Sequence, residues 1–205
     1  MNVLRVAAVW VAGLLPVCGF ERPVPPAPYE PREGDIFFQA FPHNALTDAI
    51  EGVTQSPRSH CGILHKHPEG WVIIEAVEPV RETPLADWIR RGREGKFEVF
   101  RLKAPYREKI PAMIAAARSY LGRPYDLRYR MDDEKIYCSE LVYKAFRDAG
   151  GGELGRLQKL GEMNWKPHEA FIRQLEGGEL PLEREMITPR AVSEAPQLEK
   201  VHPPR

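Results

Sequence analysis

Two strand-like runs joined by a short polar loop constrain this chain more than any other feature. Residues 59–65 read SHCGILH and residues 71–77 read WVIIEAV. Between them lies His65-Lys66-His67-Pro68-Glu69-Gly70. Apolar runs interrupted by a Pro/Gly-containing polar loop predict an antiparallel hairpin. A turn centred between His67 and Pro68 would set His60 opposite Glu75. Directly opposed side chains on one sheet face have Cβ atoms about 5 Å apart, close enough for a histidine–carboxylate contact. A one-residue slip would send the two side chains to opposite faces. Strand alternation puts His60, Gly62 and Leu64 on one face and Ser59, Cys61 and Ile63 on the other. If His60 faces a nucleophile, Cys61 is expected to face away from it.

The candidate nucleophile is Cys138, in Tyr137-Cys138-Ser139-Glu140-Leu141-Val142. Leu141, Val142, Ala145 and Phe146 follow at the spacing of one helical face, and the run stops at Gly150-Gly151-Gly152. A thiol on the first turn of a helix lies near unpaired N–H groups and the positive end of the helix dipole, which favour thiolate. A buried structural cysteine is the alternative. A cysteine nucleophile needs a base and a group that orients the base. His60 and Glu75 supply both if the hairpin forms as expected. Tyr125 and Gln39 are candidate donors to the oxyanion, beside the backbone N–H of Cys138.

The competing chemistry is metal binding or a disulfide. His43, His60, His65 and His67 lie close in sequence with Cys61 among them. No HExxH motif or paired CxxC is present, and His60 and His65 point to opposite faces of a strand. No metal and no cofactor are expected. A Cys61–Cys138 disulfide needs converging Cβ vectors, and the alternation argument opposes it.

The ends of the chain bear on location. Met1 to Arg5 carries a positive charge, Val6 to Val17 is apolar, and Cys18-Gly19 precedes a Pro-rich segment. This is the layout of a secretory signal cleaved before Phe20. Lipidation at Cys18 is the rival. The expected organisation is therefore a signal peptide over 1–19 and a Pro-rich lead-in over 20–33. A single domain over 34–192 and a C-terminal tail over 193–205 follow. The expected destination is the periplasm. The net charge of zero gives no reason to expect a nucleic-acid partner.

Elsewhere, 36–39 and 97–102 read as strands. Helices are expected within 41–57, after Thr83-Pro84, over 107–121, within 154–161 and 167–175, and after Thr188-Pro189.

An ordered set of motifs now carries a resemblance. GDIFFQ at 34–39, SHCGIL at 59–64, IIEAV from 73, TPL at 83–85, LGRPYD at 121–126 and YCSELVYKAF at 137–146 resemble the YiiX/YebB-like family. That family is a permuted, papain-like branch of the NlpC-type cysteine hydrolases. The resemblance implies an α+β, circularly permuted papain-like fold, with an antiparallel sheet packed against helices that include the cysteine-bearing one. It implies catalysis by Cys138, His60 and Glu75, with Tyr125 beside the nucleophile. The permutation accounts for the histidine and glutamate preceding the cysteine. Cys61 departs from the aliphatic or small residue usual at that position.

The resulting expectation is an exported cysteine amidase or peptidase acting through an acyl-enzyme on cell-envelope peptide or amide substrates. The substrate would be a peptide, an amino-acid amide or a lipid, and the protein a monomer or small homo-oligomer with possible envelope association. Two alternatives stand beside it: a lipid-directed acyltransferase, thioesterase or phospholipase with the same triad, and a non-catalytic envelope binding protein. A polar groove with Arg123, Arg128 and Arg130 would favour peptide or amide substrates. An apolar groove beside Cys138 would favour lipid.

Overall fold

The computed structural model describes residues 29–203. The expected signal peptide over 1–19 and most of the Pro-rich lead-in lie outside the described residues. In chain order the first elements are β1 (Ile36–Gln39), α1 (Ala45–Thr54), β2 (His60–His67), β3 (Gly70–Glu75), β4 (Arg81–Pro84), α2 (Leu85–Arg91) and β5 (Glu98–Leu102). There follow α3 (Ile110–Ser119), α4 (Cys138–Phe146), β6 (Gln158–Lys159), α5 (Glu169–Glu176), β7 (Glu185–Met186), α6 (Pro189–Ser193) and β8 (Leu198–His202).

The predicted hairpin is β2–β3, at the heart of a six-stranded antiparallel sheet ordered β4-β3-β2-β1-β5-β8. Its register differs from the expected one. His67 pairs with Gly70 and Ile63 with Ile74, so the turn centre lies one residue later, between Pro68 and Glu69. Gly70 closes the turn at φ +135°, a conformation that costs glycine little and other residues much. Moving the turn centre by one residue moves the register by two. A two-residue shift keeps every side chain on its face. His60 is therefore not directly opposite Glu75, but the two still share a face.

Alternation along the strands separates two cores. Ile36, Phe38, Cys61, Ile63 and Ile74 pack beneath α3 and α4. Phe37, Leu64, Ile73 and Val99 pack on the other face against Trp88 of α2. Burying one such side chain stabilises the fold by about 1.5–3 kcal/mol. A third cluster joins Val53 of α1 to Leu160 and Ile172 of α5.

Local signals worked unevenly. Asn44 caps α1 by accepting hydrogen bonds from the N–H groups of Leu46 and Thr47. Thr188 caps α6 by accepting from Ala191 N at 3.0 Å. Thr83 does not cap α2: it lies in β4, and its hydroxyl is used elsewhere. The helix expected within 154–161 is a two-residue strand followed by one 3₁₀ turn, Leu160–Glu162. The segment from 193 is not a mere tail, since β8 extends the sheet beside β5. No helix among the described residues is long and apolar enough to cross a membrane.

Candidate active site

Cys138 opens α4, with Tyr137 in an extended conformation before it. The Tyr137 N–H donates to Glu140 Oε2 at 3.2 Å, which fixes the entry into the helix. All nine residues of α4 are buried, polar ones included. Lys144, one turn after Glu140, meets Glu140 Oε1 and Asp133 Oδ1 at 2.7 Å each. These contacts tie the loop before the cysteine to the helix after it. Burial, partly offset by Lys144, pushes the Glu140 carboxyl up to about 7.

His60 and Glu75 are brought together as expected. His60 Nε2 lies 2.5 Å from Glu75 Oε2, and both residues are almost fully buried. Glu75 receives two further donors, the Thr83 hydroxyl at 2.6 Å and the Arg91 guanidinium. The imidazole stacks on Phe41, with ring centroids 4.4 Å apart, and Arg91 covers the same phenyl ring. Stacking and the Nε2 contact leave Nδ1 as the ring nitrogen free for Cys138.

The electrostatics follow from this packing. Burial opposes charge on Glu75, but His60, Arg91 and Thr83 outweigh it and hold the carboxyl at about 2. Burial also opposes charge on His60, yet interactions with Cys138 and Glu75 raise it to about 9. The Cys138 thiol is held well below its ordinary value. The largest cause is a hydrogen bond from Cys61, which works with the hydrogen bond and charge of His60 against burial. Cys61 itself is driven well above the thiol range by burial and by Cys138. These directions favour a thiolate at 138, an imidazolium at 60 and a thiol that keeps its proton at 61.

The expectation that Cys61 faces away from Cys138 is corrected here. Cys61 lies in the same core as Cys138, on the α4 side of the sheet, and interacts with it. His60, on the opposite face, interacts with it too. Alternation fails to separate them because His60 is the first residue of β2 and the helix start lies over the strand end. Both thiols are nevertheless free.

The two expected oxyanion donors fare differently. Tyr125 is beside Cys138, with its phenol held protonated by burial and by the neighbouring Tyr129 and Cys138. Gln39 pairs with His60 across β1 and β2. Its amide lies against Gly92, where a Cβ would meet Oε1 at 2.2 Å, and makes no hydrogen bond. That amide therefore makes no hydrogen bond to Cys138. Sequence reasoning missed Tyr129, which adopts φ +53° and packs edge-on to Tyr125 and Tyr137. Its buried hydroxyl has no hydrogen bond of good geometry, and burial and Cys138 raise its pKa. Arg91 and Thr83 were also missed, because only the fold reveals where their side chains converge.

The histidines considered as metal ligands are dispersed. His65 Nδ1 contacts Glu33 at 2.7 Å, and the His67 ring accepts from Glu69 N. Among the described residues, His43, Asp48 and Glu51 place ligand atoms within 4.8 Å of one another on the solvent side of α1. His43 and Asp48 already bond each other, and Glu51 pairs with Arg93.

A cleft adjoins the thiol. Its walls are Leu46, Ala49, Ile50 and Val53 of α1, Phe171, Ile172 and Leu175 of α5, and Leu160, Met163, Met186 and Ile187. Its volume is about 90 Å³.

An antiparallel sheet whose first strands carry the histidine and glutamate, followed by a buried helix-start cysteine, defines a permuted papain-like protein of the cysteine hydrolase class. Residues 30–202 match the family described as permuted papain-like amidase enzyme, YaeF/YiiX, C92 family, and the chain belongs to it. It is 36% identical over 181 residues to the protein YiiX of Escherichia coli (strain K12), described as uncharacterized. That match covers 87% of this chain and 89% of YiiX. The crystal structure described as metalloprotein YiiX from Escherichia coli O157:H7, DUF1105, superposes with a TM-score of 0.78 at 36% identity. It covers 84% of this chain and 97% of its own.

Proposed function

We propose that the protein hydrolyses carboxylic amides through an acyl-enzyme on Cys138. The carrying observation is the buried line from the Cys138 thiol through His60 to Glu75, ending on Thr83 and Arg91. In this reading the thiolate attacks the substrate carbonyl and a C–S bond forms. The oxyanion is met by the Cys138 N–H at the helix start and by the phenols of Tyr125 and Tyr129. His60 then delivers its proton to the leaving nitrogen as the C–N bond breaks. Water enters, gives a proton to His60 and cleaves the thioester, which frees the acid and restores the thiolate beside the imidazolium. Glu75 keeps Nε2–H in place and stabilises the imidazolium. Membership in an amidase family supports the amide as the scissile group.

The test is hydrolysis of an amide series by the native protein and Cys138→Ala, with intact mass read after rapid acid quenching. An acyl adduct lost in Cys138→Ala is the expected result. Hydrolysis retained by Cys138→Ala would overturn the proposal.

Export is part of the same proposal and rests on residues 1–19. A mature protein beginning at Phe20 in the extracytoplasmic fraction is expected. A protein that keeps Met1 would overturn it, and a lipid on Cys18 would redirect it to a membrane-anchored form.

A further inference from the structure

We propose that Cys138 is a site of reversible oxidation with Cys61 as its resolving thiol: a peroxide converts Cys138 to a sulfenic acid, and Cys61 closes a disulfide on it. The proposal uses the nucleophile but no substrate, so it stands apart from the amide reading above. Cys61 is a buried nucleophilic group that the hydrolytic steps leave unused. Its thiol and its main-chain N–H both reach the Cys138 sulfur as hydrogen-bond partners. The two side chains lie in one core, on the α4 side of β2, and both are free. The alternation that argued against a pair in the sequence therefore does not keep these sulfurs apart. A disulfide bond is about 2 Å long, so closing this contact takes a shift of about 1–2 Å shared by two side chains.

Burial sets which oxidant is admitted and which sulfur it meets. Cys61 is fully buried and Cys138 is 2% exposed, so neither offers a surface to a protein disulfide. A peroxide is small enough to enter, and Cys138 lines the adjoining cleft whereas Cys61 does not. The Cys138 thiolate attacks the peroxide: an S–O bond forms, the O–O bond breaks, the sulfur is oxidised and the peroxide reduced. The departing oxygen takes its proton from the His60 imidazolium and leaves as water or an alcohol. The sulfenic acid is neutral, so its formation removes the Cys138 charge that helps Cys61 to hold its proton. Cys61 then attacks the Cys138 sulfur. An S–S bond forms, the S–O bond breaks, and the leaving hydroxide takes the Cys61 proton as water. Two thiols and one peroxide thus give a disulfide, one water and one further water or alcohol. The disulfide keeps Cys138 from the irreversible sulfinic and sulfonic acids, and a reductant restores it.

The reduced native chain is treated with an equivalent of hydrogen peroxide, alkylated, digested with trypsin without reductant and read by mass. Residues 59–66 and 136–144 are the tryptic peptides that carry Cys61 and Cys138. The expected product is these two peptides linked, from monomeric protein, lighter by two hydrogens than the separate thiol peptides and parted by dithiothreitol. In Cys61→Ser and Cys61→Ala the link should vanish, and dimedone should trap a sulfenic acid on Cys138 instead. Excess peroxide should then leave at least about tenfold more sulfinic acid on Cys138 in these variants than in the native chain. Cys138→Ser should leave Cys61 unoxidised under the same treatment. Circular dichroism checks that each variant is folded, and the native arm decides the matter without any variant. Sulfenic or sulfinic acid on native Cys138 with no linked peptide would overturn the proposal. So would a link formed between chains or to Cys18, oxidation that begins at Cys61, or a Cys138 inert to peroxide. None of these outcomes bears on amide hydrolysis, which the Cys138→Ala assay tests separately.

Discussion

His60 Nε2 and Glu75 Oε2 are 2.5 Å apart although the two residues are diagonal and not opposed across the hairpin. Continuing one step beyond the Ile63–Ile74 pair, Glu75 faces Gly62. The absence of a side chain at 62 is what opens the diagonal. A Cβ there would meet Ile73 Cγ2 at 2.4 Å, Ile74 O at 2.9 Å and Glu75 Cβ at 3.3 Å. Gly62→Ala should therefore destabilise the fold by about 1–3 kcal/mol, as overpacking does. It should also lower kcat by moving Glu75 from the imidazole. Chemical denaturation and turnover on the same sample check both effects. A variant with native stability and turnover would show that the diagonal does not depend on the glycine.

Glu75 is held by three donors, and these differ in exposure. Thr83 is buried, whereas Arg91 has 30% of its side chain exposed. A hydrogen bond to a buried charge contributes about 1.5–3 kcal/mol. Thr83→Val should cost roughly that amount of stability and bring the glutamate's titration nearer its ordinary value. Arg91→Met should perturb stability less, because solvent screens the pair. Both should raise the pH at which acid unfolding begins, measured by fluorescence, since Arg91 and Thr83 each hold the Glu75 carboxyl down. An acid midpoint unchanged in both variants would mean that His60 alone keeps Glu75 ionised.

Much of this site is legible in the sequence because it depends on parity rather than on register. The expected turn centre was wrong by one residue, yet His60 and Glu75 remained on one face because the pairing moved by two. The helix start at Cys138 was readable from the apolar spacing after it. Cys61 was misplaced because alternation sorts side chains across a sheet but not at the end of a strand. Tyr129, Thr83 and Arg91 reach the site from a loop, a strand and a helix, and no local pattern records their convergence. β8 was hidden because Leu198-Glu199-Lys200-Val201-His202 is charged at its centre, as an edge strand can be.

The pH dependence has a definite sign. His60 rises from 6.5 to about 9, so its proton is kept through neutrality and lost near 9. Cys138 falls well below the thiol range, so the thiolate forms at lower pH than an ordinary thiol's. Turnover should decline on the alkaline side near 9, where the leaving group loses its proton donor. For stability, the raised His60 contributes fully below 6.5, and that contribution fades as pH rises through about 9. Glu75, lowered from 4.5 to about 2, contributes above 4.5, and its share is lost as pH falls through about 2. Cys138→Ala removes the anion facing His60 and should shift the alkaline loss of stability to lower pH. An unchanged alkaline limb in Cys138→Ala would mean that the thiolate does not hold the imidazolium.

Cys61 makes the last prediction, because this family member carries a thiol next to its nucleophile. Its proton is held by burial, and a hydrogen bond from it is the largest influence lowering Cys138. Removing that donor while leaving His60 in place should raise the Cys138 pKa without abolishing the thiolate. Cys61→Ala tests this, with Cys61→Ser restoring a donor of similar size. The readout is the rate of iodoacetamide alkylation at Cys138 against pH. The native protein should label at Cys138 and not at Cys61, with half-maximal rate well below the ordinary thiol range. In Cys61→Ala the midpoint should move up, and in Cys61→Ser it should return toward the native value. The cavity left by alanine also costs stability, so labelling is compared at temperatures where every variant is folded. If all three midpoints coincide, the imidazolium alone sets the thiolate and Cys61 is only a packing residue.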